Sequence, residues 1–234
     1  TRILHRIDYG VLRDHPKILT GFSDITALHA AVHRMTGLIT FHSPNPMDGY
    51  GHPDGFTKLS ERTFWRTLLA DEYQQAGNGP WPVPLTDNER QKIRTYCSGT
   101  ARGRLVGGNL ALVCSLLGTP YEMQFESSIL MIEDIGERPY RIDRFLSQLR
   151  LAGKLQQVRG VVLGQFTDCD SEDGKPSLSL EEIFDDYFAE LGVPVVKNFP
   201  VGHARDNATL PLGVEVELNA DEKLLTILEN PVRV

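Results

Sequence analysis

The sequence predicts an α/β protein. Short apolar runs alternate with helical patterns along the 234 residues, and no internal repeat or low-complexity tract interrupts them. Hydrophobic residues make up 41% and charged residues 24%, which is the balance of a globular protein with a sizeable core. No apolar run approaches the roughly 20 residues that are needed to cross a bilayer.

The first part of the chain contains short strands and helices separated by loops. Gly37 is placed to end the first of these helices, and residues 43–56 form a loop because they are rich in Pro, Gly, Asp and Asn. We predict strands over 17–20 and 38–41 and helices over 25–35 and 61–70. The Gly- and Pro-rich stretch 77–84 is incompatible with regular structure, so it is expected to be a linker or an exposed loop.

The second part continues the alternation and ends in a hairpin. Pro139 is a favourable helix start, and Ser179 with Glu182 forms a capping-box pattern. We predict an extended Gly-rich segment over 103–109, strands over 128–132 and 158–166, helices over 110–117, 139–151 and 180–191, an extended segment over 194–197, and a hairpin over 214–228.

Charge and cysteine content narrow the function. The formal net charge is -7 and no basic stripe occurs, so nucleic acid is not an expected partner. The three cysteines are far apart and form no CxxC pair, which argues against a disulfide scaffold and suits a reducing cytoplasm. His29 and His33 have the i, i+4 spacing of a metal pair but lack the glutamate of an HExxH motif. We therefore expect no metal, no other cofactor and no membrane partner.

Ser23, in the run Gly-Phe-Ser-Asp, is the first candidate for chemistry. A serine on a sharp turn between a strand and a helix has the arrangement of a nucleophile elbow, with the helix N-terminus and the Asp24 amide available to an oxyanion. Only half of the G-x-S-x-G pattern is present, because Ile25 replaces the second glycine. The local pattern alone favours a helix cap, a role for which Ser and Asp are common.

Glu133 and His203 are the second and third candidates. Glu133, followed by Asp134, is predicted to end an apolar strand, where a carboxylate can orient a histidine. Taken alone, it is more typical of a solvated strand end. His203 lies in a predicted loop and can act as a general base, although an exposed histidine without a function is the commoner case.

These segments together resemble the LD-carboxypeptidases, which include murein tetrapeptide carboxypeptidases and the microcin C immunity protein. The resemblance extends in order over nearly the whole chain, so it is more specific than any one motif. The matching runs are Asp-His-Pro-Lys (14–17), Gly-Phe-Ser-Asp-Ile-Thr-Ala-Leu-His (21–29), Thr-Gly-Leu-Ile-Thr-Phe-His (36–42), Gly-Arg-Leu-Val-Gly-Gly-Asn-Leu (103–110), Gly-Thr-Pro (118–120), Ile-Glu-Asp-Ile-Gly-Glu-Arg-Pro-Tyr-Arg-Ile-Asp-Arg (132–144), Pro-Val-Gly-His (200–203) and Thr-Leu-Pro-Leu-Gly (209–213).

The resemblance implies a fold, a boundary and a triad. It implies an N-terminal α/β, Rossmann-like domain, here residues 1–85, and a smaller β-rich C-terminal domain, here residues 86–234. It also implies a leading Gly-rich portion before the region where this sequence starts, so we expect the first domain to be truncated. The family's Ser-Glu-His triad falls on Ser23, Glu133 and His203, which reverses the local preference at each position.

The implied activity is release of a terminal D-amino acid, as when a murein tetrapeptide loses D-alanine, by a homodimer in the cytoplasm. Arg104, Asn109 and Arg205 are candidates to bind the substrate's carboxylate. One alternative is a microcin-type amidase acting on a peptidyl or aminoacyl nucleotide, for which Trp81 would stack on a nucleobase, although packing at a linker is the commoner role for such a residue. Another is a non-catalytic binding protein that retains the fold.

Overall fold

The computed structural model describes residues 1–69, 79–171 and 176–232. The α-helices in this part of the chain are Tyr9–Asp14 (α1), Ile25–Thr36 (α2), Lys58–Leu68 (α3), Asp87–Lys92 (α4), Leu110–Ser115 (α5), Pro139–Leu151 (α6) and Leu180–Phe188 (α7). The strands are Thr20–Gly21 (β1), Thr40–His42 (β2), Trp81–Pro82 (β3), Arg94–Cys97 (β4), Thr100–Asn109 (β5), Ser128–Ile135 (β6), Gly160–Thr167 (β7), Val195–Lys197 (β8), Leu210–Leu212 (β9), Glu215–Asn219 (β10) and Leu224–Ile227 (β11).

A large mixed sheet organises the fold, with strand order β3-β11-β10-β5-β6-β7-β8-β4. Its centre, β5 to β8, is parallel, and antiparallel strands flank it on both sides. A smaller sheet has the order β1-β2-β9. The carboxyl ends of parallel strands meet at one edge of a sheet, which is where α/β proteins place ligands.

The large sheet is buried on both faces. Along β6, Leu130 and Ile132 join one hydrophobic cluster with residues of α2, α5, α6 and α7. The alternating residues Ile129 and Met131 join a second cluster with β9, β10 and β11. A strand covered on both faces has a continuous apolar sequence, which is the pattern that Ser128 to Ile132 shows.

Helix α2 begins directly after the turn that carries Ser23. Its alanines Ala27, Ala30 and Ala31 pack into the first cluster. Gly37 ends the helix with φ 75°, and its amide donates to the His33 carbonyl at 2.8 Å. A left-handed residue at this position costs least for glycine, so the sequence determines where the helix ends.

The predicted α/β class is confirmed, and most predicted elements are present with shifted bounds. One correction concerns strand β6, which continues to Ile135, so Glu133 and Asp134 lie within the strand instead of after it.

Another correction concerns the stretch 77–84, of which residues 77 and 78 lie outside the described residues. Trp81 and Pro82 form the edge strand β3, Val83 donates to Leu225 at 2.8 Å, and the Trp81 side chain is only 5% exposed. Proline is tolerated there because an edge strand needs ladder bonds on one side only.

Both sheets contain strands from either side of residue 85. Strand β9 pairs with β2, and β3 pairs with β11. The division into residues 1–85 and 86–234 stays a prediction. Among the described helices, none is long and apolar enough to cross a membrane.

Candidate active site

Ser23 lies on a sharp turn between β1 and α2. Its φ is 59°, an uncommon value for a residue other than glycine, and Gly21 before it has φ 148°. A Cβ on Gly21 would lie 2.9 Å from the Ile25 side chain, so this turn requires glycine there. Strained backbone of this kind is typical of functional sites.

The helix-cap alternative for this turn is wrong. Asp24 occupies the N-cap position of α2 and makes no capping bond with its side chain. Within the described residues Ser23 Oγ has no hydrogen bond, and the Asp24 amide donates to no backbone carbonyl, whereas the next two amides donate to Phe22 and Ser23. A serine hydroxyl and an unpaired amide therefore lie together at the start of a helix, where partial positive charge accumulates.

Glu133 and His203 are joined directly. His203 Nδ1 lies 2.6 Å from Glu133 Oε2, and the two side chains are 11% and 0% exposed, His203 first. The alternatives of a solvated strand end and an exposed loop histidine are both wrong. Because the carboxylate accepts from Nδ1–H, Nε2 is left as the basic nitrogen.

Two glycines make room for the Glu133 carboxylate. A Cβ on Gly164 of β7 would lie 3.1 Å from Glu133 Cβ, and one on Gly202 would lie 2.9 Å from Glu133 Oε2. Gly202 also has φ 130°, a conformation that L-residues rarely adopt. The loop before His203 therefore passes close to β6 because it has no side chain at that point.

Burial dominates the electrostatics of the two adjacent carboxylates. It raises the pKa of Glu133, against the opposing effect of the bond to His203, and the neighbouring Asp134 raises it further. Burial also raises the pKa of Asp134, which accepts from Asn109 Nδ2 at 2.8 Å, from the Ala111 amide at 3.0 Å and from the Ile135 amide at 2.9 Å. Asp134 thus secures the start of α5, and Glu133 orients the histidine.

His203 also contacts the serine's neighbour. Its ring centroid lies 4.7 Å from that of Phe22, the residue before Ser23. Asn207 Oδ1 accepts from the Gly202 amide at 3.1 Å and steadies the loop. His203 and Phe22 line a cavity of about 70 Å³ together with Pro44, Asp48, Ala204, Arg205 and Asn207.

The three predicted carboxylate-binding residues lie in different places. Arg205 lines this cavity, and it also donates to the backbone carbonyls of Asp48 at 3.2 Å and Gly55 at 2.9 Å. Asn109 is 4% exposed, bonds Asp134 and caps α5 by accepting from the Leu112 amide at 3.1 Å. Its side chain is therefore committed to structure.

Arg104 lies away from the serine. It donates to the Gly213 carbonyl at 2.5 Å and has Glu215 and Glu229 within 3.7 Å and 3.6 Å. It lines a separate cavity of about 570 Å³ that includes neither Ser23 nor His203. The structure gives no geometric support for a contact between Arg104 and the substrate's carboxylate at Ser23. Asn109 lies at the site end of β5, and the extended strand separates Arg104 from it.

Two buried histidines lie behind the serine turn, and their place there was not predicted from the sequence. His29 Nε2 lies 2.9 Å from the Gly21 carbonyl oxygen, and burial lowers the pKa of His29 to about 4. His42 is 0% exposed, and its ring centroid lies 6.0 Å from that of Phe22. Burial, with smaller effects of His29 and His203, lowers the pKa of His42 to about 3. The only sequence signal was the presence of both histidines in the runs that resemble the family.

No group of three or more His, Cys, Asp or Glu side chains with the geometry of a metal site occurs in the part of the chain that the structure describes. The i, i+4 pair His29 and His33 does not converge, since each ring bonds a different backbone carbonyl, at Gly21 and at Leu38.

A serine on a strained strand-to-helix turn, beside a buried Glu–His pair in an α/β fold, has the form of a serine hydrolase site. Comparison with known proteins specifies the class. Models of the LD-carboxypeptidase N-terminal and C-terminal domains match residues 1–43 and 102–218. The chain belongs to the LD-carboxypeptidase family, which is a family of serine peptidases.

Several relatives support this membership. The "Probable murein peptide carboxypeptidase" of Bacillus subtilis is 38% identical over 230 residues, which are 97% of this chain and 67% of that protein. A muramoyltetrapeptide carboxypeptidase from Oxalobacter formigenes superposes with a TM-score of 0.83 at 27% identity, covering 99% of this chain and 75% of that one. MccF in complex with glutamyl sulfamoyl guanosine superposes with a TM-score of 0.87 at 25% identity, covering 99% and 73%. The chain thus spans about two thirds to three quarters of these proteins.

Proposed function

We propose that this protein is a serine carboxypeptidase that releases the terminal D-alanine from murein tetrapeptides, as in peptidoglycan recycling. The observation that carries the proposal is the 2.6 Å bond between buried Glu133 and His203, next to the strained turn of Ser23. The relatives named for murein peptides support the choice of substrate.

In the proposed reaction, Ser23 Oγ attacks the scissile carbonyl while His203 Nε2 takes its proton. The negative charge on Glu133 stabilises the imidazolium, and the Asp24 amide donates to the oxyanion. His203 then gives its proton to the leaving amine, so D-alanine departs and an ester to Ser23 remains. Water, deprotonated by His203, hydrolyses this ester and restores the serine.

The cavity beside His203 supports a small leaving group. Sites for drug-sized ligands occupy roughly 300–1,000 Å³, whereas this cavity has about 70 Å³. Arg205 lines it, and its two bonds to backbone carbonyls leave some of the five N–H groups of a guanidinium for another acceptor. We propose that Arg205 binds the carboxylate of the terminal D-alanine.

The second candidate function is hydrolysis of a peptidyl or aminoacyl nucleotide. It is favoured by the superposition on MccF, whose complex contains glutamyl sulfamoyl guanosine. The expected stacking platform is buried, however, since Trp81 is 5% exposed and has the Arg66 guanidinium 5.4 Å from its ring centroid. Trp81 packs in the core, which leaves the murein peptide as the first choice.

The proposal includes a homodimer that acts in the cytoplasm on soluble muropeptides, without a cofactor. Light scattering on the purified protein measures the oligomeric state, and a monomer at assay concentration would remove the dimer from the proposal.

The test measures release of D-alanine from a disaccharide-tetrapeptide or the free tetrapeptide, with mass spectrometry as the detection method. We expect Ser23→Ala to reduce the rate by at least about 10³-fold, because the nucleophile is lost. The C-terminal amide of the tetrapeptide is expected to be a poor substrate, because it offers Arg205 no carboxylate.

Ser127→Ala is the matched control, since Ser127 also has a positive φ, 56°, and lies on a turn outside the site. It should keep wild-type activity. Full activity in Ser23→Ala would refute the nucleophile, and a wild-type protein that cleaves only an aminoacyl sulfamoyl nucleotide would favour the second function.

A further inference from the structure

His29 lies in α2 behind the serine turn, six residues after Ser23. It is 1% exposed, and its Nε2 lies 2.9 Å from the carbonyl oxygen of Gly21. The same oxygen accepts from the Ser43 amide at 3.0 Å. A helix side chain and the backbone just after β2 thus converge on the residue from which the turn departs.

The partner determines the tautomer of His29. A carbonyl oxygen only accepts, so Nε2 must carry the proton and Nδ1 must be bare. Burial keeps the ring neutral, with the pKa of His29 lowered to about 4. At neutral pH the residue is therefore a fixed, uncharged N–H donor to the Gly21 carbonyl.

The backbone that this bond holds is the strained part of the turn. Gly21 and Ser23 have φ values of 148° and 59°, and such conformations persist only where the surroundings determine them fully. The β1–β2 pairing holds Gly21 from one side, and His29 holds the same carbonyl from the helix that Ser23 precedes. We propose that His29 is a positioning residue, which sets the direction of Ser23 Oγ through its bond to the Gly21 carbonyl.

This inference rests on the proposed function, because it assumes that Ser23 is the nucleophile. A merely structural role, a core histidine satisfied by a backbone carbonyl, would affect stability and leave the chemistry of the folded protein unchanged. Measurements of kcat, of KM and of the rate at which a fluorophosphonate labels Ser23 distinguish the positioning role from the structural role. Intact-protein mass spectrometry monitors the labelling.

The variants are His29→Leu, which removes the donor, and His29→Gln, whose Nε2 is as many bonds from the backbone as the histidine Nε2. We expect His29→Leu to lower kcat and the labelling rate by about 10- to 100-fold with KM within about threefold, since small misplacements have effects of this size. His29→Gln should recover most of both rates.

His33→Leu is the matched control. His33 lies on the same helix and also bonds a backbone carbonyl, that of Leu38 at 3.0 Å, but on the far side from the turn. It should keep wild-type kcat and labelling.

The inference is overturned if folded His29→Leu keeps wild-type kcat and labelling, or if folded His29→Gln is as slow as His29→Leu. A wild-type protein that is not labelled at Ser23 would instead overturn the proposed function and this inference with it. Imidazole ¹⁵N spectra of the wild-type protein provide a test without variants. They should show His29 as the neutral Nε2–H tautomer at pH 7, and an Nδ1–H tautomer would refute the proposal.

Discussion

At the scale of single residues, Glu133 combines a buried carboxylate with a hydrogen bond to His203, the proposed general base. Its carboxylate is fully buried, and burial raises its pKa, so at neutral pH the ionised form disfavours the folded state. We expect Glu133→Gln to lower kcat by about 10³- to 10⁴-fold, because an amide stabilises neither the imidazolium nor the required tautomer. The midpoint of thermal unfolding should stay constant or rise.

Glu126→Gln, at an exposed position on a turn, is the control for loss of a carboxylate. It should match wild type in kcat and in unfolding midpoint. A Glu133→Gln protein that is folded and retains more than about a tenth of wild-type kcat would argue against orientation of His203 by Glu133.

The residues of the candidate site differ in how far the sequence predicted them. Ser23, Glu133 and His203 were chosen as candidates because their runs occur in family order, although each local pattern alone favoured a residue without catalytic function. The placement of His29 and His42 behind the serine turn was missed because it depends on burial, and for His29 on a bond to the Gly21 carbonyl, and neither is encoded in spacing. Asn109 was assigned to substrate because its bond to Asp134 arises only when β5 and β6 pair.

At the scale of elements, the approach of the His203 loop to β6 depends on Gly202. We expect Gly202→Ala to lower kcat by about 10-fold or more, because the new methyl group would lie 2.9 Å from Glu133 Oε2 and displace the His203 contact. The variant should also be less stable, since φ 130° is unfavourable for alanine.

Gly192→Ala separates backbone strain from the steric clash. Gly192 has φ 74°, and a Cβ added to it would have no atom of the described residues within 4 Å apart from its chain neighbours, so only the cost of the left-handed conformation, about 1–2 kcal/mol, applies. Steady-state kinetics and urea unfolding of both variants provide the comparison. Equal kcat values in Gly202→Ala and Gly192→Ala would show that the close approach to Glu133 is unimportant.

Several elements with local signals were predicted, whereas strands that depend on distant partners were missed. Helix α4 was also missed, although Thr86 and Glu89 form a capping box at its start. Pro139 and the capping box at Ser179 mark helix starts that the structure confirms at α6 and α7. Strands β3 and β9 were missed because each is short and is defined by a partner far along the chain, β11 and β2. Periodicity over two or three residues carries no information on such pairing.

At the scale of the whole molecule, the fold brings together three segments that are far apart in sequence. The turn between β1 and α2 provides Ser23, β6 provides Glu133, and the loop after β8 provides His203. The parallel centre of the large sheet aligns β6 and β7, and the pairing of β9 with β2 ties the His203 loop to the strand next to β1. The site therefore depends on the docking of both sheets, which a local sequence pattern does not predict.

The buried histidines link the stability of the whole molecule to pH. His42 is fully buried, its ring nitrogens have no hydrogen-bond partner among the described residues, and its pKa is lowered to about 3. The unfolded chain binds a proton at His42 below about pH 6.5, whereas the folded protein does not. The contribution of neutral His42 to the free energy of unfolding is therefore fully present above pH 6.5 and is lost as pH falls. Between pH 7 and pH 4 the free energy of unfolding should fall by roughly 3 kcal/mol for this reason.

Replacing His42 with an apolar residue should remove this part of the pH dependence. The free energy of unfolding is measured with urea at pH 7 and at pH 4. Between these two pH values it should fall by roughly 3 kcal/mol less in His42→Leu than in the wild-type protein. His15→Leu, at an exposed position, is the control and should keep the wild-type difference. The raised pKa values of Glu133 and Asp134 make the folded state more stable as pH falls, which is opposite to the effect of His42. All three proteins contain both carboxyl groups, so this effect cancels when the pH differences are compared. An unchanged pH difference in His42→Leu would mean that the folded protein accommodates a charged His42.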